Sequence, residues 1–116
     1  MVNIQLYVSK KNFDTQKAER FFKERRIAVQ LFDLKKRAPG ERELQNLARG
    51  AGGLNQLIDR DDPKVREHPA CYFDRDDELL PAVMEQPWLL KSPIVRCGRE
   101  VTVGCCPEVW KKWLEG

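Results

Sequence analysis

Four cysteines and one histidine are the residues best equipped for chemistry in this chain: Cys71, Cys97, Cys105, Cys106 and His68. Thiolates attack electrophiles, exchange disulfides and hold soft metals, and spacing decides among those roles. No Cys-x-x-Cys occurs, and structural zinc prefers close pairs, so neither a metal site nor a cofactor is expected. Cys105 and Cys106 are neighbours, but a vicinal disulfide strains the backbone, so reduced and partly buried thiols are the simpler reading. Cys106 stands just before Pro107, a residue suited to the first position of a helix. A helix N-terminus lends a thiol some thiolate character, which makes Cys106 the thiol to test first. His68, between Glu67 and Pro69 in a polar stretch, reads as a surface histidine. Lys10, Lys11, Lys17, Arg20 and Lys23 could offer a basic face to an acidic protein or a nucleic acid. Glu19 and Glu24 interrupt it, so a solvated helix side is the plainer account and nucleic acid is not an expected partner.

The elements that must position these groups follow from periodicity. Val2, Ile4, Leu6 and Val8 alternate with polar residues, a period of two that predicts a strand. From Asp14 onward Ala18, Phe21 and Phe22 share one helical face among charged neighbours, with Asp14 able to cap the first amides and Arg25 and Arg26 suited to the carboxyl end. Ile27, Val29 and Leu31 alternate again, which completes a βαβ unit with parallel strands. A basic turn, Lys35 to Gly40, leads into a short helix carrying Leu44, Leu47 and Ala48, ended by Gly50, Gly52 and Gly53. Leu54, Leu57 and Ile58 form another amphipathic turn, and Pro63 breaks the charged run from Asp59 to Glu67. A helix beginning near Asp76 carries Leu79, Leu80, Val83 and Met84, is stopped by Pro87, and accepts Pro81 only in its first turn. Pro93-Ile94-Val95 and Val101-Thr102-Val103 are short strand-like runs around a Gly98 hairpin of type II′. The last helix shows Val109, Trp110, Trp113 and Leu114 to the core. The plan is α/β: βαβ, a helical insertion over about 40–90, then ββα, in one domain spanning 1–116 with a four-stranded mixed sheet. A length of 116 residues fits one domain, and 41% hydrophobic residues with three Trp can fill its core. The net charge of +3, from 21 basic minus 18 acidic residues, is spread along the chain and selects no partner. No apolar run reaches the roughly 18 residues of a membrane span, and the start lacks the basic-then-apolar plan of a secretory signal. No membrane is expected as a partner, and the cytoplasm is the expected compartment.

Three segments narrow the βαβ–ββα order, which is that of thioredoxin-like folds. Lys10 to Ala18 (KKNFDTQKA), Glu85 to Val95 (EQPWLLKSPIV) and Val103 to Glu108 (VGCCPE) resemble, in order and nearly end to end, the arsenate reductase and Spx-like family. In reductases of that family a cysteine on the loop before the first helix attacks arsenate or a disulfide, and the resemblance places Phe13 at that position. A benzyl side chain offers no nucleophile at any pH. The resemblance also implies three arginines that hold a tetrahedral oxyanion through paired donors. Asp59, Ser92 and Cys106 stand at the matching places here, with positive charge nearby on Arg60 and Lys91. It further implies a cis bond at Ser92-Pro93 beside the site.

The reading that follows is a family member that has lost thiol reductase catalysis and binds another protein. Its surface would lie around Phe13, Lys91, Ser92 and Pro93, with Arg60 and Lys91 as a partial anion site. Phe13 either closes the old site mouth by apolar packing, the favoured account, or stands out as an anchor for a partner. Spx-type relatives bind RNA polymerase, which makes a regulatory contact the analogous expectation, although the Spx Cys-x-x-Cys is missing at Phe13 to Gln16. The alternative is a glutathione- or thioredoxin-linked (arsenate) reductase working through a relocated thiol such as Cys106. A third is binding of glutathione or a small anion without turnover.

Overall fold

The computed structural model describes residues 3–115. Strand β1 (Ile4–Val8) turns Ile4, Leu6 and Val8 to one side of the sheet and Tyr7 to the other, all buried. Apolar side chains on both faces demand cover on both faces, and the chain supplies two layers. Helix α1 (Phe13–Glu24) and helix α5 (Pro107–Glu115) close the first face, where Phe21, Phe22, Trp110 and Trp113 pack on the strand. Helix α2 (Glu41–Ala51), the single turn α3 (Pro63–Arg66), helix α4 (Asp76–Glu85) and intervening 3₁₀ turns cover the second with Leu44, Leu47, Leu57, Leu79 and Val83. Each fully buried aliphatic side chain of this kind contributes roughly 1.5–3 kcal/mol.

The sheet order is β2-β1-β3-β4. β2 (Val29–Asp33) runs parallel to β1, while β3 (Ile94–Cys97) and β4 (Glu100–Val103) are antiparallel, so the sheet is mixed. Gly98 and Arg99 form the two-residue β3–β4 loop, and Gly98 alone takes a left-handed φ, of 63°, as a type II′ turn requires. The Ser92-Pro93 bond is cis. Among the described residues no helix is long and apolar enough to cross a membrane.

Several local expectations are corrected. Asn12, not Asp14, caps α1: its side-chain oxygen accepts from the Thr15 amide at 2.8 Å, which places Phe13 at the first helical position. Pro63 starts a helical turn behind the Asp62 cap and does not simply break the run, because a first-turn amide has no helical partner to lose. Pro81 lies in the second turn of α4, not the first. Leu31 alternates correctly yet is exposed, because β2 is an edge strand. Val109 is exposed, and Trp110 and Trp113 carry the apolar face of α5. His68 is half-buried: its Nδ1 accepts from the Ala70 amide at 3.0 Å and its ring meets Trp88 edge-on.

Candidate functional site

The head of α1, the loop before it and the segment entering β3 meet in a hydrogen-bonded hub. The Asn12 amide group donates to the Ser92 carbonyl at 2.9 Å while its oxygen receives the Thr15 amide. The Thr15 and Ser92 hydroxyls are 2.7 Å apart, and Ser92 donates to the Lys10 carbonyl at 2.9 Å. Ser9 donates to the Leu90 carbonyl at 2.8 Å. Ser9, Thr15 and Ser92 are all buried, so these bonds replace water that the groups have lost. The hub was not foreseen from the sequence; Asn12 followed three residues later by Thr15 was the signal available for it.

Phe13 projects from this rigid base into solvent, 80% exposed. It therefore does not close the site by packing, because the first helical position of a capped helix points away from both cores. Beside it lies a cleft of about 600 Å³ bordered by Asn12, Asp14, Asp59, Asp61, Lys91, Ser92 and Cys106, with β4 residues Val101 to Val103 along one wall. Three carboxylates face one lysine there. The other nearby cation, Lys10, is already bound: its ammonium donates to Asp59 at 2.8 Å and to Asp62. Burial works against the charge on Lys10, but the bonds to Asp59 and Asp62 outweigh it and raise its pKa; the Lys10 bond correspondingly lowers that of Asp62. Lys10 thus belongs to an internal ion pair and not to a free basic face.

The expected site residues are only partly brought together. Lys91 and Ser92 line the cleft, although Ser92 and Pro93 are buried and offer no outer surface. Arg60 is turned into the insertion, donating to the carbonyls of Cys71, Asn55 and Phe73 and to the Asn55 side chain. A guanidinium spent on four internal acceptors ties two loops together and has little left for an anion. Cys106 does line the cleft, but burial, with the neighbouring Cys105, pushes its pKa up, and its Sγ donates to the Val103 carbonyl at 3.5 Å. The helix-end effect expected to favour its thiolate is outweighed. Cys97 is likewise raised, by burial and then by Glu100. All four cysteines are free thiols, and no group of three or more His, Cys, Asp or Glu among the described residues is placed to hold a metal.

A mixed four-stranded sheet in the order β2-β1-β3-β4 with helices on both faces defines the thioredoxin-like class of α/β fold. Solved structures share it over nearly the whole chain. The YffB protein superposes with a TM-score of 0.83 at 19% identity, covering 97% of this chain and 99% of the other. An ArsC family related protein from Bacteroides fragilis gives 0.81 at 20% identity, over 96% and 97%. An arsenate reductase from Vibrio cholerae gives 0.78 at 23% identity, over 98% and 97%. Curated proteins yield no sequence match. The ArsC family profile matches residues 7–113, and the chain belongs to that family.

Proposed function

We propose that this ArsC-family chain has given up thiol reductase chemistry at the head of α1 and works as a protein-binding or regulatory module. The observation that carries the reading is Phe13, an exposed phenyl ring at the first position of α1, where family reductases keep their nucleophile. A thiolate at such a place gains from the helix amides, and a phenyl ring has nothing to ionise. The charge of the cleft supports the same conclusion. Arsenate is an anion that needs fixed donors and positive charge, and Asp14, Asp59 and Asp61 oppose it with Lys91 as the lining cation. The rival reductase, working through Cys106, would need a thiolate at neutral pH, whereas burial, with the neighbouring Cys105, pushes the pKa of that thiol up.

An exposed aromatic ring on a hub held by five hydrogen bonds is a preorganised anchor, and rigid aromatic anchors make effective contact points. The docking surface is Phe13 with Lys91 and the rim of Asp14 and Asp61; Ser92 and Pro93 support it from beneath. The test is arsenate reduction coupled to glutathione or thioredoxin. No turnover above the protein-free rate is expected. Turnover abolished by Cys106→Ser would overturn the proposal. Comparison of Phe13→Ala with the native chain in protein capture then checks the surface, since equal recovery of the same proteins would remove Phe13 from it.

A further inference from the structure

The two edges of the sheet are treated differently. At the β4 edge, α2 rests on the strand: a Cβ at Gly50 would fall 2.5 Å from Val101 Cγ2 and 2.8 Å from the Arg99 carbonyl oxygen. At the other edge β2 has β1 as its single strand neighbour. Alternate amides and carbonyls of β2 therefore face outward to pair with another extended chain, except at the strand end, where the Asp33 carbonyl accepts from the Lys36 and Arg37 amides. Natural edges are usually guarded by lysine, proline or a bulge, and the strand, Val29-Gln30-Leu31-Phe32-Asp33, contains no lysine or proline. Leu31, at its centre, is 60% exposed. A hollow of about 630 Å³ lies alongside, lined by Leu31, Phe32, Pro39, Lys36 and Arg37 together with the acids Asp33 and Glu43.

Charge selects the occupant. Arg25 and Arg26 precede the strand, and Lys35, Lys36 and Arg37 follow it. Arg25 is turned onto α1, with its guanidinium 3.7 Å over the Phe21 ring and donating to the Phe21 carbonyl; the other four form no salt bridge among the described residues. Both acids of the hollow are already engaged: Asp33 receives the Lys35 amide and caps the turn, and Glu43 accepts from the Tyr7 hydroxyl at 2.7 Å. A second copy of this chain is a poor partner, because pairing β2 with itself in either direction sets one cationic group against another. We propose that β2 is a docking strand for an extended segment of a partner protein in which an apolar residue is flanked by acidic residues. The segment adds as a fifth strand, covers Leu31 with its apolar side chain and places its carboxylates against the two cationic ends. Leu31 and these cations lie outside the Phe13 cleft, so this inference stands independently of the reading given to Phe13.

The probe is a synthetic capped peptide, Glu-Asp-Val-Thr-Val-Asp-Glu, titrated into the isotopically labelled protein. Saturable amide shifts concentrated in Val29–Asp33 are expected, with affinity at least about tenfold weaker in Lys35→Glu/Lys36→Glu, whose surface changes leave the cores alone. Leu31→Asp should weaken it similarly. Lys-Lys-Val-Thr-Val-Lys-Lys should not bind. Absence of shifts in β2, equal binding of the lysine peptide, or shifts confined to residues 12–14 and 91 would overturn the proposal. Stronger binding of single-stranded oligothymidylate at the same residues would overturn it in favour of nucleic acid, and dimerisation through β2 in sedimentation would overturn it in favour of self-association.

Discussion

Two helix heads converge on the same cleft, and they differ in instructive ways. α1 begins after a polar cap, with its Asn12 and Thr15 fixed to Ser92, and presents a residue that cannot react. α5 begins after Cys106, which carries a reactive element but sits half-buried, donates to Val103 and has its pKa raised by burial. Position at a helix N-terminus is therefore one of several influences on a thiol, and desolvation can overrule it. The head of α1 offers helix amides without the atom; the head of α5 has the atom, with burial set against its charge. The cleft between them is lined by Asp14, Asp59 and Asp61, which disfavours anions arriving from either side.

Phe13→Cys tests the comparison most severely. A cysteine placed there should react with iodoacetamide at pH 7 more than about tenfold faster than the native thiols, as expected for a helix-head thiol with a pKa lowered towards 7. A rate no faster than that of native Cys106 would break the comparison. Next is Thr15→Val, which keeps the shape but removes a buried hydroxyl from the Asn12–Ser92 hub. It should cost about 1–3 kcal/mol in urea unfolding, with an unchanged m-value. A loss below half a kcal/mol would mean that the hub does not hold the α1 head.

The Lys10 ion pair sets a pH dependence around the same head. Asp62 has its folded pKa lowered, so its contribution is fully present above the unfolded value and is lost as pH falls through the folded one. Lys10 is raised, so its contribution is present below its unfolded pKa and is lost as pH rises through the folded value. Asp62→Asn retains the cap to Lys64 and should cost about 1 kcal/mol near neutrality, an effect that shrinks in acid below the ordinary aspartate range and vanishes as pH falls through the lowered folded pKa. A penalty that stays constant into acid would assign the effect to something other than the charge. The smallest effect is expected at the other head: Cys106→Ser exchanges a half-buried thiol packed against the α1/α5 core for a hydroxyl of similar shape, and should cost less than about 1 kcal/mol and leave thiol reactivity at neutral pH nearly unchanged. A marked drop in reactivity would restore Cys106 as a working thiol.

Much of the frame was legible in residue order. The alternation of β1, the Ala18-Phe21-Phe22 stripe, Gly98 and Pro107 each express a local rule, a period or a preferred dihedral, that needs no distant neighbour. The segments resembling the arsenate reductase family pointed to the same family that the profile matches over residues 7–113, while the expected cap of α1 at Asp14 fell two residues late. The exposure of Leu31 was not legible, because alternation reports which side chains share a face and not whether another strand will lie beside them. Arg60 and Lys10 were equally opaque. Each looked like free positive charge, and each is consumed by acceptors brought near only by folding, Asn55, Cys71 and Phe73 for one and Asp59 and Asp62 for the other.

By itself the chain order determined the elements, their sequence and the absence of a nucleophile at residue 13, since these depend on side-chain identity and on neighbours a few residues away. Tertiary structure alone decided that the phenyl ring stands in solvent, that burial raises the Cys106 pKa and that three carboxylates share the cleft with one lysine. Those outcomes depend on which dipoles, charges and carbonyls lie within a few ångströms after residues tens of positions apart have met, and interaction energies in a partly dehydrated cleft change steeply over that distance.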